Sequence, residues 1–346
     1  MRAVRTLPVL VLVTASASLG LGAAAPAFAA GGISTALGVV YASFQGGNGY
    51  LYNYNSASNS FVGIKLGQSL TSSPAEAGLP DGNAEIAFQA NTGMLWYTPP
   101  QSGAGVDTEN TVTTGSNPVV AGLTDSGFEI AYSEPEGAIG LIGGGGGGVQ
   151  DTTAMYASGS SSPAITASAN NGWQVAWNGG NGHLWLITSN DVGVDSGIDT
   201  GVAVESGTSP GIAALPTGGD IVAFENSAQE LSLYNTATGV VTSTSYALQS
   251  GTSPAVATDA YGGWEVAIVG TNDKLDLIDS ATGETATNLA VYAGVSPTIT
   301  ALEGPDSFEA AYESPSSYLG LAGTAGNYVT TYGMKPATHP TITLVP

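Results

Sequence analysis

The chain of 346 residues carries 27 Asp and Glu against 5 Lys and Arg, a net charge of −22, with only 9% of residues charged. Affinity for nucleic acid rests on Lys and Arg neutralising phosphates, so nucleic acid is excluded as a partner, and anionic membranes and polyanionic glycans are disfavoured; a neutral or cationic partner fits. Cysteine is absent, which removes disulfides and thiolate chemistry, and 50 glycines beside 42% apolar residues describe an all-β chain dense in turns, too apolar to be disordered.

At the N-terminus, Arg2 and Arg5 precede an apolar run from Leu7 to Leu21 that ends in Ala27-Phe28-Ala29. This is the pattern of a secretory signal with an A-x-A cleavage site, so residues 1–29 are expected to be removed and residues 30–346 secreted. Both arginines leave with the signal, and Lys65, Lys274 and Lys335 then face 27 acids, a charge of −24. No later stretch is long and apolar enough to span a bilayer. About 300 residues are enough chain to bury a core without staples.

The mature chain opens with part of a repeat. Val40 to Tyr54 reads as the second and third strands of a unit, with Ser43-Phe44-Gln45 in the place that Ala87-Phe88-Gln89 takes later, but no Pro-led strand precedes it. Whole units follow, led by Pro74, Pro118, Pro163, Pro210, Pro254 and Pro297, and a last Pro stands at 340. Spacings of 44, 45, 47, 44, 43 and 43 match the period of a four-stranded propeller blade. Within the units the phase is tighter still. Thirteen residues after each Pro comes Ala87, Ala131, Ala176, Ala223 and Ala267, and 21 after it Leu95, Ile139, Leu184, Leu231 and Leu275; Ala311 and Leu319 come one later.

A short strand after each Pro, a Gly-rich turn, an alternating strand such as Trp173 to Trp177 and a Leu-x-Leu strand account for three strands, and a variable segment supplies the outer fourth. The C-terminal His339-Pro340-Thr341-Ile342-Thr343 supplies the strand that the first unit lacks. The expectation is therefore an all-β, seven-bladed β-propeller. Its split blade comprises residues 34–72 and 339–346, and the other blades start near 73, 117, 162, 209, 253 and 296. Closing the ring with the C-terminal strand leaves no unpaired edge at the seam.

Comparison between units separates shared positions from variable ones. Glu85, Glu129, Gln174, Glu265 and Glu309 recur two residues before the shared Ala, a recurrence that reads as structural, since a general acid is not needed in every blade. The residue after the shared Leu is Tyr52, Trp96, Trp185, Gly140, Gly320, Ser232 or Asp276. Such variety predicts a side chain facing solvent or a partner. In three units the aromatic shares a hairpin with an amide and a tight Gly turn: Gln45 with Tyr52, Gln89 with Trp96, and Asn178 with Trp185. An aromatic face suits the C–H face of a pyranose, and amides suit its hydroxyls. The units led by Pro118 and Pro297 lack both, and the run Gly143 to Gly148 reads as a loop without the context of a phosphate cradle.

The unit of Ser-Pro, Gly-rich turn, Glu-x-Ala-aromatic strand, Asn-Thr-Gly and Leu-Trp resembles the repeats of secreted bacterial propellers. Over about residues 34 to 346 the architecture is similar to tectonin and bacterial fucose-binding seven-bladed propeller lectins. That resemblance implies sugar pockets between adjacent blades, lined by aromatic and polar side chains.

Enzyme classes are narrowed by what is missing. A sialidase needs an arginine cluster that the mature chain lacks, and His183 and His339 have neither a nucleophile context nor metal-ligand spacing. A carboxylate pair for glycoside hydrolysis remains open, but no spacing singles one out, and no Asp-rich calcium loop is present. The sequence thus points to a secreted, non-catalytic, lectin-like propeller that needs no cofactor or metal. It would bind a neutral glycan, with Tyr52, Trp96 and Trp185 stacking on sugar and Gln45, Gln89 and Asn178 bonding hydroxyls. A module for an extracellular protein partner in the cell envelope is the alternative, followed by a glycoside hydrolase.

Overall fold

Large and small residues alternate in every unit between turn-forming glycines, and the computed structural model turns each unit into four short strands. It describes residues 32–100, 102–143, 150–152, 156–168, 171–190 and 197–346. Residues 1–29, expected from the sequence to be a signal, and residues 144–148 of the glycine run lie outside the described residues.

Seven four-stranded antiparallel sheets form a ring of blades. From the axis outwards, blade 1 consists of Thr341–Val345, Val39–Gln45, Tyr50–Asn55 and Ser60–Gly67, so its innermost strand comes from the far end of the chain. Blade 2 runs from Ala75–Gly78 to Val106–Thr111, blade 3 from Val119–Gly122 to Gln150–Thr152, and blade 4 from Ala164–Ser168 to Ile198–Ala203. Blade 5 runs from Gly211–Ala214 to Val240–Ala247, blade 6 from Ala255–Thr258 to Gly283–Ala290, and blade 7 from Thr298–Ala301 to Tyr328–Gly333. The positions that kept phase in the sequence are the core. Ala87, Ala131, Ala176, Ala223, Ala267 and Ala311, and the Leu or Ile eight residues beyond each, are all 0% exposed.

Two circular sets of hydrogen bonds join neighbouring blades. In the first, the N–H of the residue before each blade-leading Pro donates to the side chain of its counterpart in the next blade. Ser73 donates to Asn117, Asn117 to Ser162, Ser162 to Ser209, Ser209 to Ser253, Ser253 to Ser296, Ser296 to Nδ1 of His339, and His339 back to Ser73, all within 2.7–2.9 Å. The preference for Ser before Pro is thus explained by an acceptor just long enough to cross between blades. In the second set, each blade's connector donates a backbone N–H to the end of the next blade's second strand, from Ser69 to the Gln89 carbonyl round to Lys335 and the Gln45 carbonyl. Both circles close at the seam, through His339 and Lys335, beside the C-terminal strand that pairs with blade 1, Val39 opposite Val345 and Ser43 opposite Thr341.

One interface departs from the pattern. Where the other blades place Ala, then Leu or Tyr, against Val or Ile, the junction of blades 1 and 2 has Ser43, Asn53 and Glu76. The Asn53 Nδ2 donates to Oε1 of Glu76 at 2.9 Å and to Oγ of Ser43 at 3.0 Å, and all three residues are buried. Burial of polar groups gains little net stability even when they are bonded, and losing one partner strands the others. Urea denaturation should therefore show Glu76→Val alone lowering stability by about 2 kcal/mol, and Ser43→Ala, Asn53→Leu and Glu76→Val together raising it by ~1–3 kcal/mol.

Candidate binding surfaces

The three aromatic hairpins are built as their sequences suggest, but the amides point inward. Nε2 of Gln45 donates to the carbonyls of Ser69 and Gln68, that of Gln89 to the Val112 carbonyl at 2.8 Å, and Nδ2 of Asn178 to the carbonyls of Glu205 and Thr208. All three side chains are buried, and their amide oxygens are enclosed as well. The expectation that these amides meet ligand hydroxyls is corrected: they pin the connector that leads to the next blade, because that segment carries carbonyls with no strand partner.

The aromatics are partly enclosed too. Tyr52 is stacked on Phe44 with ring centroids 5.8 Å apart, and Trp185 lies 6.1 Å from Trp177 while its Nε1 donates to Oδ1 of Asn181. Trp185 is buried; Tyr52 and Trp96 are half-buried. The variability of this position, read as a sign of exposure, has a different cause. The residue lies directly opposite the large residue of the second strand: Phe44 faces Tyr52, Phe88 Trp96, Tyr132 Gly140, Trp177 Trp185, Phe224 Ser232, Ile268 Asp276 and Tyr312 Gly320. Where the second strand supplies a tyrosine, its ring fills the space above the third strand, and a Cβ on Gly140 or Gly320 would come within 2.3 Å of it. Gly320→Ala should accordingly cost about 2 kcal/mol, and thermal unfolding of Gly320→Ala, Tyr312→Ala and the double variant should reveal a coupling of ~1–2 kcal/mol that offsets part of the loss.

The histidines have structural partners. Nδ1 of His183 is 3.0 Å from Asp199 at the rim of blade 4, and His339 is a link of the hydrogen-bonded circle, accepting through Nδ1, with burial holding its pKa down.

A concave site lies elsewhere, between blades 6 and 7. The cavity, of about 450 Å³, is lined by Glu265, Leu277 and Asp279 from strands 2 and 3 of blade 6, Thr285 to Asn288 from its outer strand, and Gly323, Thr324 and Asn327 from the next blade. Glu265 stands directly opposite Asp279. The side chains of Glu265, Thr285 and Asn327, all lining the groove, make no hydrogen bond among the described residues. Burial, reinforced by the charge of Asp279, pushes the Glu265 carboxyl up to about 7. Sequence reading assigned Glu265 to the fold and passed over Asp279, Thr285 and Asn327, since nothing in their spacing shows that two blades bring them together.

No protein-family model matches the chain, and a search of curated proteins finds no match. Solved structures do resemble it. AofleA from Arthrobotrys oligospora superposes with a TM-score of 0.54 at 13% identity over 79% of this chain and 89% of its own. The SapL1 lectin, solved with α-methyl fucoside, gives 0.55 at 11% identity over 76% and 96%. The fucose-recognising lectin of Aleuria aurantia, described as a six-bladed β-propeller, gives 0.50 at 10% identity over 76% and 95%. At such identities the likeness shows the fold alone. The fold is that of a β-propeller, here with seven blades, and a match over 76% of the chain is about the length of six of them.

Proposed function

We propose that this chain is a secreted, non-catalytic, lectin-like propeller that binds carbohydrate in grooves between its blades. The observation that carries this reading is the cavity between blades 6 and 7. Its volume of about 450 Å³ suits a mono- or disaccharide, and its walls present the Glu265 carboxyl, the Thr285 hydroxyl and the Asn327 amide with open hydrogen-bonding capacity beside the apolar Leu277 and Ala286. The likeness in fold to lectins, one of them solved with a fucoside, supports it. Of the aromatics expected from the sequence, Tyr52 keeps a place, since it adjoins Tyr332, which is 44% exposed and stacked on Phe61 at 3.9 Å, giving the junction of blades 7 and 1 an aromatic platform.

A glycan array with the chain lacking residues 1–29 tests the reading: specific glycans bind, and Thr285→Ala combined with Asn327→Ala removes at least one of them. If no glycan binds, the reading fails. Because glycosidases work with two carboxyls and Glu265 faces Asp279 across the strands, turnover of a chromogenic glycoside that disappears in Glu265→Gln would make the protein an enzyme instead.

A further inference from the structure

The second strand of each blade sets one residue against the third strand at the mouth of the interblade groove. Glu129 faces Gly143, Gln174 faces Thr188, Ile221 faces Asn235 and Glu309 faces Gly323; in blade 6 an acid faces an acid, Glu265 against Asp279. Of the four glutamates at this position, Glu85 and Glu129 share with Glu265 the lack of a hydrogen-bond partner among the described residues, but neither faces a second acid or lines this groove. Glu309 accepts the N–H of Ala325 at 3.0 Å, whereas Glu265 is only 9% exposed, lines the cavity and has no hydrogen-bond partner among the described residues. Asp279 spends Oδ1 on the N–H groups of Ala281 and Thr282, which leaves Oδ2 unused. Lys274, on the third strand of the same blade, reaches Oδ1 of Asn288 at 3.3 Å and does not line the groove.

Two facing carboxyls, one of them buried and unpartnered, with no cation in the lining, form a site short of one positive charge. A neutral sugar would satisfy the hydroxyl and amide groups of the walls and leave the carboxyls repelling each other. We propose that the groove between blades 6 and 7 takes an amino sugar with a free amine, its ammonium held between Glu265 and Asp279 and its hydroxyls on Thr285, Asn288 and Asn327. The proposal rests on the carbohydrate-binding reading and narrows it to a charged sugar class. It also gives a use to the acidity of the mature chain, which draws cations toward the ring and repels anionic competitors.

Isothermal titration calorimetry near pH 7, using the chain without residues 1–29, separates the outcomes. The probes are a glucosamine trimer, an N-acetylglucosamine trimer, α-methyl fucoside and calcium chloride. The glucosamine trimer is expected to bind about tenfold or more tightly than its N-acetylated counterpart, and Glu265→Gln to remove most of that advantage. Glu284→Gln changes the net charge equally at an exposed position of the same blade and is expected to leave the affinity unchanged, which distinguishes the groove from general attraction to an acidic protein. Equal or tighter binding of the N-acetylated trimer, or an affinity that Glu265→Gln does not alter, overturns the amino-sugar assignment while the carbohydrate reading stands. Calcium binding that Glu265→Gln abolishes, with no response to glucosamine, overturns it in favour of a metal site. Silence from every sugar here and on the array overturns both.

Discussion

Raising the pH from about 5 to about 9 is expected to lower the unfolding midpoint by about 10 °C or more, a direction opposite to that of proteins whose carboxylates are paired. The cause is a set of carboxyls desolvated by burial, of which only Asp276 has a cation, Lys274, acting on it. Burial pushes Glu309 up to about 9, Glu76 to about 8, Glu85, Glu129, Glu225, Glu265 and Glu313 to about 7, and Asp220 and Asp276 to about 6. In the unfolded chain these groups ionise near 4. The folded state therefore holds more protons across the interval between. The stability they contribute is fully present below about pH 4 and is lost as the pH rises through the folded values, between about 6 and 9. Glu76 and Glu309, the most deeply desolvated, each account for a few kcal/mol in order of magnitude. His339 works the other way, since its lowered pKa makes acid costly below the ordinary histidine range, but it is one group against nine. Thermal melts followed by circular dichroism across this range measure the slope. Glu309→Gln should flatten it, and a midpoint that rises with pH would refute the account.

Deleting Pro340 to Pro346 should abolish cooperative unfolding or lower the midpoint by about 15 °C or more, because far more than five strand residues is lost. The deletion exposes the Val39–Ser43 edge of blade 1 and uncovers the core around Ile342, Val40 and Ala42. It also removes the hydroxyl of Thr343, which accepts the N–H of Gly78 in blade 2, and the Leu344 N–H that donates to Thr300 of blade 7. The last strand thus ties blades 7, 1 and 2 together. A synthetic peptide spanning His339 to Pro346, added in trans, should restore part of the cooperative transition by pairing with the exposed edge. A truncated chain that melts as sharply and at the same temperature as the full one would show that the ring does not depend on this closure.

Much of this architecture was legible because each unit repeats the same burial problem. A Pro every 43–47 residues, with Ala and Leu in fixed phase behind it, marks positions that every blade must bury, and the half-unit at each end implied the shared blade. The relation that governs the variable aromatics was also in the sequence, eight residues apart: Tyr132 with Gly140 and Tyr312 with Gly320, but Phe or Trp with Tyr52, Trp96 and Trp185. It reads as exposure until the register shows each pair face to face, since a periodic pattern reports spacing along a strand and not which residue of the neighbouring strand fills the same volume.

By itself, then, the sequence determined the blade count, the strand order within a blade, the core positions and the seam, because all of these follow from local periodicity and burial. The tertiary structure alone decided where the candidate site lies. Gln45, Gln89 and Asn178 are held inside by carbonyls more than 20 residues away, and the groove joins Glu265 and Asp279 of one blade to Asn327 of the next. Such convergence depends on how blades pack side by side, and spacing within a repeat does not encode it.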